Sequence, residues 1–597
     1  MEPVLIRLGR STAASALLFV AIAALGAIYT STGGSSRELL VDDMLVNLIL
    51  VLGLQVFVGN TGVLSFGHIG FVEIAAYATA LLAIPASGKA AQLKDAPWGI
   101  ADVELSPFVA TVLAVVVTVA IGAVIGIAIA RASGLAATMI TLAILFVTDQ
   151  VVKNWADLTK GANGLKDIPQ LGSRWWLYLS VFGGLLLAHW FQETRIGRFA
   201  IATREDELAA PALGVRLSTS RYAAWLVSIV LVALGGALTA QRIGNVNPRQ
   251  FTFEVGILIL AMLVVGGMRT VTGAVVGTII VTAGNELFRQ LGDPQRLDIE
   301  RFPDLFLGGA LLAIMLLRPG GLLGDHDVAG WLRRSWRRSA TGSGVEPVTG
   351  TRPLVAADIV VRFGGFTALS GAHLRVEPGH VVGLIGPNGA GKTTLFNVLT
   401  GLVEETAGDV HLGERDLGPL PVHAVARSGL ARTFQNLRLF KDLSVRENVA
   451  VAALVAERFR PERATIGVDA LLADAGLTGD ADRPAGTLDY GNQRRLELAR
   501  AAALAPEFLL LDEPTSGMSD AESLAMVAHV RSTAAKLGAG VLVIDHDLGF
   551  ISRICDHVIV LAEGQVLAEG TPDEIRRNPD VAAAYLGSTA DPAQPAP

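Results

Sequence analysis

Up to about residue 318 the chain is a succession of long apolar runs divided by short polar gaps. After that point the pattern changes to that of a soluble α/β protein. About ten runs stand out in the first half, at 12–30, 41–59, 68–86, 107–130, 135–152, 174–191, 222–241, 255–268, 272–288 and 304–317. Several reach the roughly 20 residues that a helix needs to cross a bilayer. The run at 255–268 is short and bounded by Gly266 and Gly267, so a tilted or broken helix is expected there. A chain of 597 residues is too long for one hydrophobic core, which makes two or more domains the expectation.

Charge orients the apolar half. Arg131 follows the fourth run, Arg195, Arg198, Arg204, Arg216 and Arg221 fill the gap between the sixth and seventh, and Arg318 and then "RRSWRR" follow the last. Basic residues stay on the cytoplasmic side, and ten spans with both termini inside satisfy all of these positions. The opposite face then receives 87–106 and 153–173, which mix Lys with Asp. The first run ends in "LGAIYTSTGG", without a clear small-residue cleavage site, so no cleavable signal peptide is expected. The net charge of −7 gives no basic footprint for nucleic acid. The single cysteine, Cys555, excludes an internal disulfide and reads as a small core residue.

Two segments of the apolar half carry chemistry. "GNTGVLSFGHIGFVEIAAY" (59–77) sets Gly59, Gly62, Gly67 and Gly70 around Ser65 and His68. The glycines alone fit two readings equally: a broken helix lining a cavity, or close helix packing through small residues. Ionisable His68 and Glu73 at membrane depth favour a substrate pathway through Ser65, His68 and Glu73. "REDELAAPALGV" (204–215) brings four charges together between two spans, where each would cost roughly 2.5–3.5 kcal/mol at a helix centre in the bilayer. It is therefore expected outside the membrane, on the cytoplasmic side.

The second half opens after a connector, 325–352. Its "WLRRSWRR" reads either as a basic interfacial helix on the inner leaflet or as a solvated linker, followed by the flexible "SATGSGVEPVTGTRP". "HVVGLIGPNGAGKTTLFNVLTG" (380–401) reads as strand, glycine-rich turn and helix. Gly386, Pro387, Asn388, Gly389, Ala390, Gly391, Lys392 and Thr393 fit G-x-x-x-x-G-K-[ST], with Thr394 next. In that pattern backbone N–H groups cradle phosphates, Lys392 reaches the β- and γ-phosphates and the Thr393 hydroxyl meets Mg²⁺. "FLLLDEPTSG" (508–517) is an apolar strand ending in Asp512, placed to contact Mg²⁺, and Glu513, placed as general base for an attacking water.

With these motifs in place, residues 353–587 resemble ABC-type nucleotide-binding domains. The resemblance implies that "LDYGN" (Leu488, Asp489, Tyr490, Gly491, Asn492) is the signature sequence. It implies that Gln435 in "TFQNLRLF" is the Q-loop glutamine contacting magnesium and the membrane domain, and that His546 in "VIDHDL" is the switch histidine near the γ-phosphate. It also places Phe363 where an aromatic stacks on adenine and Ser519 in the D-loop region. Asp489 departs from the usual serine. A carboxylate cannot donate to phosphate when ionised, so the composite site that uses this signature is expected to be the weaker one.

Nearly all of the first 324 residues resemble the permeases of the branched-chain amino acid family of ABC importers. The match rests on Gly59, Gly62, Ser65, Gly67, His68, Phe71 and Tyr77, on "LTKGANGL" (158–165), on "GRFAIATREDELAAPALGV" (197–215), on 246–277 and on "RPGGLLG" (318–324). Glu73 stands where that family usually has a small residue. The closing "GTPDEIRRNPDVAAAYLG" (570–587) is similar to the same subgroup's ATPases.

The resulting expectation is a multi-domain chain. A polytopic α-helical membrane domain (1–324) and a linker (325–352) precede a P-loop α/β ABC-type ATPase (353–587) and a disordered tail (588–597). The implied function is ATP-driven import with ATP and Mg²⁺ as cofactors. The implied place is the bacterial inner membrane, with membrane lipids around the spans and no nucleic acid. One P-loop and one signature in the chain imply a second permease and a second ATPase, either related chains or another copy, and an external substrate-binding protein. "REDELAAPALGV" resembles the segment with which such permeases dock on the ATPase. Glu205, Asp206, Glu207, Leu208 and Gly214 are its candidate coupling residues, with Leu208, Ala209, Ala210 and Leu213 as the apolar contact face. Two other readings stay open: an exporter, and a membrane-tethered regulatory ATPase without transport.

Overall fold

The structure, a computed structural model, describes residues 4–291, 302–328, 350 and 352–587, except 32, 94–95, 133, 171, 325 and 465. The expected interfacial helix "WLRRSWRR" and the tail 588–597 lie outside the described residues. The chain forms two compact units. One comprises Glu2–Arg204 and Leu217–Arg338, the other Ser339–Pro597 together with Glu205–Arg216. The division departs from the expected boundaries at one place. The charged segment, although inserted between apolar runs, packs with the ATPase half.

In the first unit every one of the ten apolar runs is helical, because an isolated helix satisfies its own backbone in lipid. The runs correspond to α1 (Val4–Ser31), α2 (Ser35–Leu54), α3 (His68–Ala83), α5 (Pro107–Arg131), α6 (Gly134–Asn154), α8 (Trp175–Glu193), α11 (Leu217–Ile243), α12 (Phe253–Gly266), α13 (Val271–Leu291) and α14 (Phe302–Leu317). Four short helices lie between them in sequence: α4 (Ala86–Gln92), α7 (Ala156–Thr159), α9 (Arg195–Glu205) and α10 (Ala209–Ala212), the last of them in the second unit. Seven of the helical segments among the described residues are long and apolar enough to cross a membrane. The number is up to eight if α3 and α4, bent by 116° at Ile84–Pro85, make one broken span. Of the other two runs, α8 carries three tryptophans and a histidine, and α14 has only 16 residues.

The glycine-rich segment breaks the helix and packs closely at the break. Helix α2 loosens into a π-helical turn at Gln55–Gly59, the chain leaves helical geometry over 62–67, and α3 starts at His68. The glycines around this break serve close approach. A Cβ on Gly59 would stand 2.2 Å from the Met268 carbonyl, and one on Gly67 2.3 Å from that of Thr141. The core of the unit gathers Phe57, Phe71 and Trp225, with Trp225 edge-on to both phenyl rings.

The second unit carries two sheets. The first is antiparallel, in the order β2-β1-β4-β5, with β1 Leu354–Phe363, β2 Phe366–Val376, β4 Ala407–Leu412 and β5 Arg415–Asp416. The second has the order β10-β9-β3-β8-β7-β6, with β3 Val381–Ile385, β6 Leu430–Arg432, β7 Phe508–Asp512, β8 Gly540–Ile544, β9 His557–Ala562 and β10 Gln565–Gly570. Strands β3, β7 and β8 are buried at every position and pair in parallel, as continuous apolar runs in a covered sheet do. Their carboxyl ends lie on one edge, where open α/β sheets bind ligands. The P-loop follows β3, Glu513 follows β7 and His546 follows β8.

Candidate functional site

The P-loop takes its shape from its glycines. Gly386, Gly389 and Gly391 all have positive φ. At Gly386 a Cβ would meet the Leu561 carbonyl at 2.0 Å, and at Gly391 it would meet Leu369 and the Ala368 carbonyl within 2.8 Å. The loop feeds the helix Lys392–Leu399, whose first N–H groups and dipole suit an anion. Lys392 is buried, with Nζ 2.7 Å from the Gly386 carbonyl and 2.9 Å from that of Pro387. Burial pushes its ammonium below the ordinary lysine range, against the pull of Glu513 and Asp512. Asn388, Gly389 and Thr393 are exposed, while Pro387 and Thr394 are half-buried and Ala390 is buried.

Asp512 and Glu513 end β7 in different environments. Asp512 is buried, its N–H donates to Thr433 Oγ1 at 3.1 Å, and Arg432 Nη2 lies 3.6 Å from its carboxylate. Burial raises its carboxyl above the usual range, Arg432 lowers it and Glu513 raises it further. Glu513 sits at φ 48°, a left-handed conformation costly for a residue with a side chain. Its N–H extends the β7–β8 ladder to the Ile544 carbonyl at 2.8 Å. Its carboxylate reaches His546 Nε2 at 2.9 Å. The sequence motifs separated by 33 positions are thus brought into direct contact. Asp545 holds them there: it accepts from the Thr515 hydroxyl at 2.6 Å, from the Thr515 N–H at 3.2 Å and from the Asp547 N–H at 3.0 Å.

The donors for a nucleotide-bound metal fit a small hard cation. Among the described residues no three His, Cys, Asp or Glu groups cluster to hold a metal alone. Mg²⁺ typically takes one or two carboxylates plus substrate phosphates and water, which the Asp512 carboxylate, the Thr393 hydroxyl and the exposed Gln435 amide can complete. Phe363 is half exposed at the end of β1 and pairs in register with Phe366 of β2, which is more exposed still. Since β2 continues to Ala368 beside Gly391, Phe366 is an aromatic candidate that the motif reading missed.

In the signature, Leu488 is buried and Asp489 is the N-cap of the helix Tyr490–Ala502. Asp489 accepts from the Asn492 N–H at 2.9 Å and from the Asn492 side-chain amide at 2.8 Å. These bonds, the backbone one first, hold its carboxyl below the usual range. An aspartate at this position therefore has a structural reason, the cap. Serine caps as well as aspartate, so Asp489→Ser isolates the charge. It is expected to raise hydrolysis by the assembled complex about threefold, since hydrogen bonds to charged groups are worth about 1.5–3 kcal/mol and only part of that is at stake here. An unchanged phosphate-release rate would reject the charge argument. Ser519 caps the next helix, Asp520–Leu537, with Glu522 in a reciprocal capping box.

The charged segment forms the remaining part of the site. Asp206 does two things: Oδ1 accepts the N–H groups of Leu208 and Ala209, both at 2.8 Å, and Oδ2 pairs with Arg438 Nη1 at 3.1 Å. Glu205 Oε2 accepts the Asp442 N–H at 3.2 Å, and Arg427 Nε donates to the Gly214 carbonyl at 2.8 Å. Gly214 has φ 81°, and a Cβ there would stand 2.8 Å from Val455. Ala209, Ala210 and Leu213 are buried, as expected. Leu208 is not part of that face: it is 49 % exposed, because the Asp206 turn rotates it outward. Glu207 lies on the same exposed turn. Arg427 and Arg438 went unread in the sequence, since isolated arginines carry no motif.

In the first unit Ser65, His68 and Glu73 are all buried. His68 Nδ1 is 2.7 Å from Ser65 Oγ and Nε2 is 2.6 Å from Ser228 Oγ, with Trp225 and Phe57 against the ring. In this conformation His68 is a packed, hydrogen-bonded node rather than the wall of an opening. Glu73 differs: neither carboxylate oxygen has a hydrogen-bond partner among the described residues, nor has the Tyr77 hydroxyl one turn on.

A P-loop, a strand-end carboxylate pair joined to a switch histidine, and a capped signature helix define an ABC-type ATPase, here continuous with an apolar helical unit. Known proteins agree. The family described as ABC transporter matches residues 369–516, the permease component of the branched-chain amino acid transport system matches 40–315, and the branched-chain amino acid ATP-binding cassette transporter family matches 565–591. The branched-chain amino acid transport ATP-binding protein BraF of Pseudomonas aeruginosa is 43 % identical over 252 residues, 40 % of this chain and 99 % of the relative. LivG of Escherichia coli is 39 % identical over the same length and shares of each chain. The lipopolysaccharide export ATP-binding protein LptB of Acidithiobacillus ferridurans is 39 % identical over 214 residues, 36 % of this chain and 88 % of that one. A solved ATP-binding cassette of an ABC transporter, in its ADP conformation, aligns with a TM-score of 0.36 at 30 % identity, covering 40 % of this chain and 100 % of its own. The chain belongs to the branched-chain amino acid ABC transporter family and unites its permease and its ATP-binding component in one polypeptide. It is a membrane protein with a cytoplasmic ATPase domain that binds ATP.

Proposed function

We propose that this chain imports branched-chain amino acids or related small polar solutes across the bacterial inner membrane, with both termini cytoplasmic. The observation that supports import is the pairing, in one chain, of the permease match at 40–315 with the ATPase match at 369–516. Asp512, Thr393 and Gln435 would hold Mg²⁺ on the nucleotide, Lys392 and the P-loop N–H groups would hold the phosphates, and Phe363 would stack on adenine. Glu513 accepts the proton of the attacking water and His546 orients it toward the γ-phosphate. Each ATP is closed between this P-loop and a partner's signature, so the working assembly contains a second permease and a second ATPase, with an external binding protein delivering cargo. The segment Glu205, Asp206, Glu207, Leu208 and Gly214 carries the movement to the membrane helices.

Uptake of labelled leucine, isoleucine, valine and urea in cells expressing the chain with its partner subunits tests this reading. Uptake of one of them, abolished by Glu513→Gln, supports it, and efflux with the same dependence would make the chain an exporter. Futile hydrolysis without flux in either direction would leave a regulatory ATPase.

Ser65, His68 and Glu73 mark the cargo path. Leaving a buried carboxylate without partners is costly, and the ammonium of a passing amino acid would supply what Glu73 lacks. Glu73→Gln is then expected to raise the KM for leucine about tenfold, roughly the 1.4 kcal/mol of one modest charge-assisted bond. An unchanged KM would remove Glu73 from the path.

A further inference from the structure

The signature carries a tyrosine, Tyr490, and its surroundings assign it a task. The hydroxyl accepts from Arg494 Nη2 at 2.8 Å and lies 3.2 Å from Nε, one turn along the same helix. The same guanidinium donates through Nη1 to the Phe434 carbonyl at 2.9 Å and through Nη2 to the Gln435 carbonyl at 2.6 Å. It also pairs with Glu497 at 3.2 Å, and Glu497 Oε1 accepts the Phe434 N–H at 3.1 Å. Both backbone groups of Phe434 and the carbonyl of Gln435 are thereby tied to the signature helix. Arg494 and Glu497 are buried, a position that charged groups tolerate only when their donors and acceptors are used, and here they are used on a loop without secondary structure of its own.

The tie extends on two sides. A Cβ on Gly517, four residues after Glu513, would lie 3.4 Å from the Tyr490 ring, so the ring rests on the chain leaving the candidate catalytic glutamate. Three residues beyond Gln435, Arg438 holds Asp206 of the charged segment.

We infer that Tyr490 and Arg494 are positioning residues that bolt the Gln435 loop to the signature helix, so that a displacement of the Asp206 segment reaches the signature and the Glu513 loop as one movement. The inference rests on the import reading for its consequence but on the ATPase unit alone for its geometry. Tyr490→Phe keeps the ring and removes the acceptor. Arg494→Lys keeps the charge and loses the planar fork.

The test is the full complex in liposomes, reading cargo taken up per ATP hydrolysed. Each variant is expected to lower that ratio about fivefold, a coupling loss near the small end of the usual range. The double variant is expected to be no worse than Arg494→Lys alone, because that variant already loses the bond to the Tyr490 hydroxyl along with the fork that holds the loop. A second reading does not depend on transport: a spin label on the exposed Asn436, introduced as Asn436→Cys with Cys555 buried, is expected to be immobilised in the parent and to gain mobility in Tyr490→Phe. An unchanged cargo-to-ATP ratio, or additive losses, overturns the inference while import stands. If the parent moves no cargo, the import reading falls and the label alone decides: gained mobility sustains the bolt and unchanged mobility overturns it.

Discussion

Replacing Glu513 by glutamine is expected to lower ATP hydrolysis by the assembled complex about 10²- to 10⁴-fold, the usual worth of a positioned general base. ATP binding is expected to persist, since the P-loop, Lys392 and Thr393 are untouched. The amide has the size of the carboxylate and can still bond His546, now 2.9 Å away, so the backbone at φ 48° and its bond to the Ile544 carbonyl stay as they are. What is lost is the capacity to take a proton. Phosphate release and binding of a labelled ATP analogue, measured side by side, check this. Hydrolysis within about tenfold of the parent would move the base role to another group, since tenfold is well below a general base's contribution. Lost binding would make Glu513 structural.

Much of this site was legible because its chemistry is local in sequence. The P-loop, "FLLLDEP" and "VIDHDL" each set a strand end beside the groups that act there, and parallel pairing of β3, β7 and β8 brings their ends to one edge. The membrane runs were equally plain, because a bilayer imposes length and apolarity on each run separately. Less legible was everything held by single long side chains across distant segments. Arg432 against Asp512, Asp545 against Thr515, and Arg494 with Glu497 against Phe434 carry no spacing rule, although the i, i+3 pair Arg494–Glu497 in a helix that must also be buried is a signal that burial would have exposed. Asp489 shows the opposite case. Its departure from serine is visible in the sequence, but the cap it gives to its own helix appears only once the helix start is fixed at Tyr490.

The charged segment gives the second large effect. Asp206→Arg is expected to lower uptake more than tenfold, with hydrolysis reduced less, because it removes two functions and adds a repulsion. The ion pair alone would not suffice: Asp206 and Arg438 are both partly exposed, and such pairs are worth about 0–1 kcal/mol. The turn matters as much, since Oδ1 gathers the N–H groups of Leu208 and Ala209 and so sets Ala209 and Ala210 inward and Leu208 outward. Asp206→Asn separates the two functions. It keeps an oxygen for the turn and loses the charge, so its uptake is expected within about twofold of the parent, in line with an exposed pair. The double reversal Asp206→Arg with Arg438→Asp restores attraction without restoring the turn, and a partial recovery is expected. Full recovery would mean that charge alone couples this segment to the ATPase, and no recovery that the turn does. Parent-level uptake with Asp206→Arg would show that the segment's contact at Arg438 transmits nothing, leaving Gly214 and Arg427 as the point where movement passes.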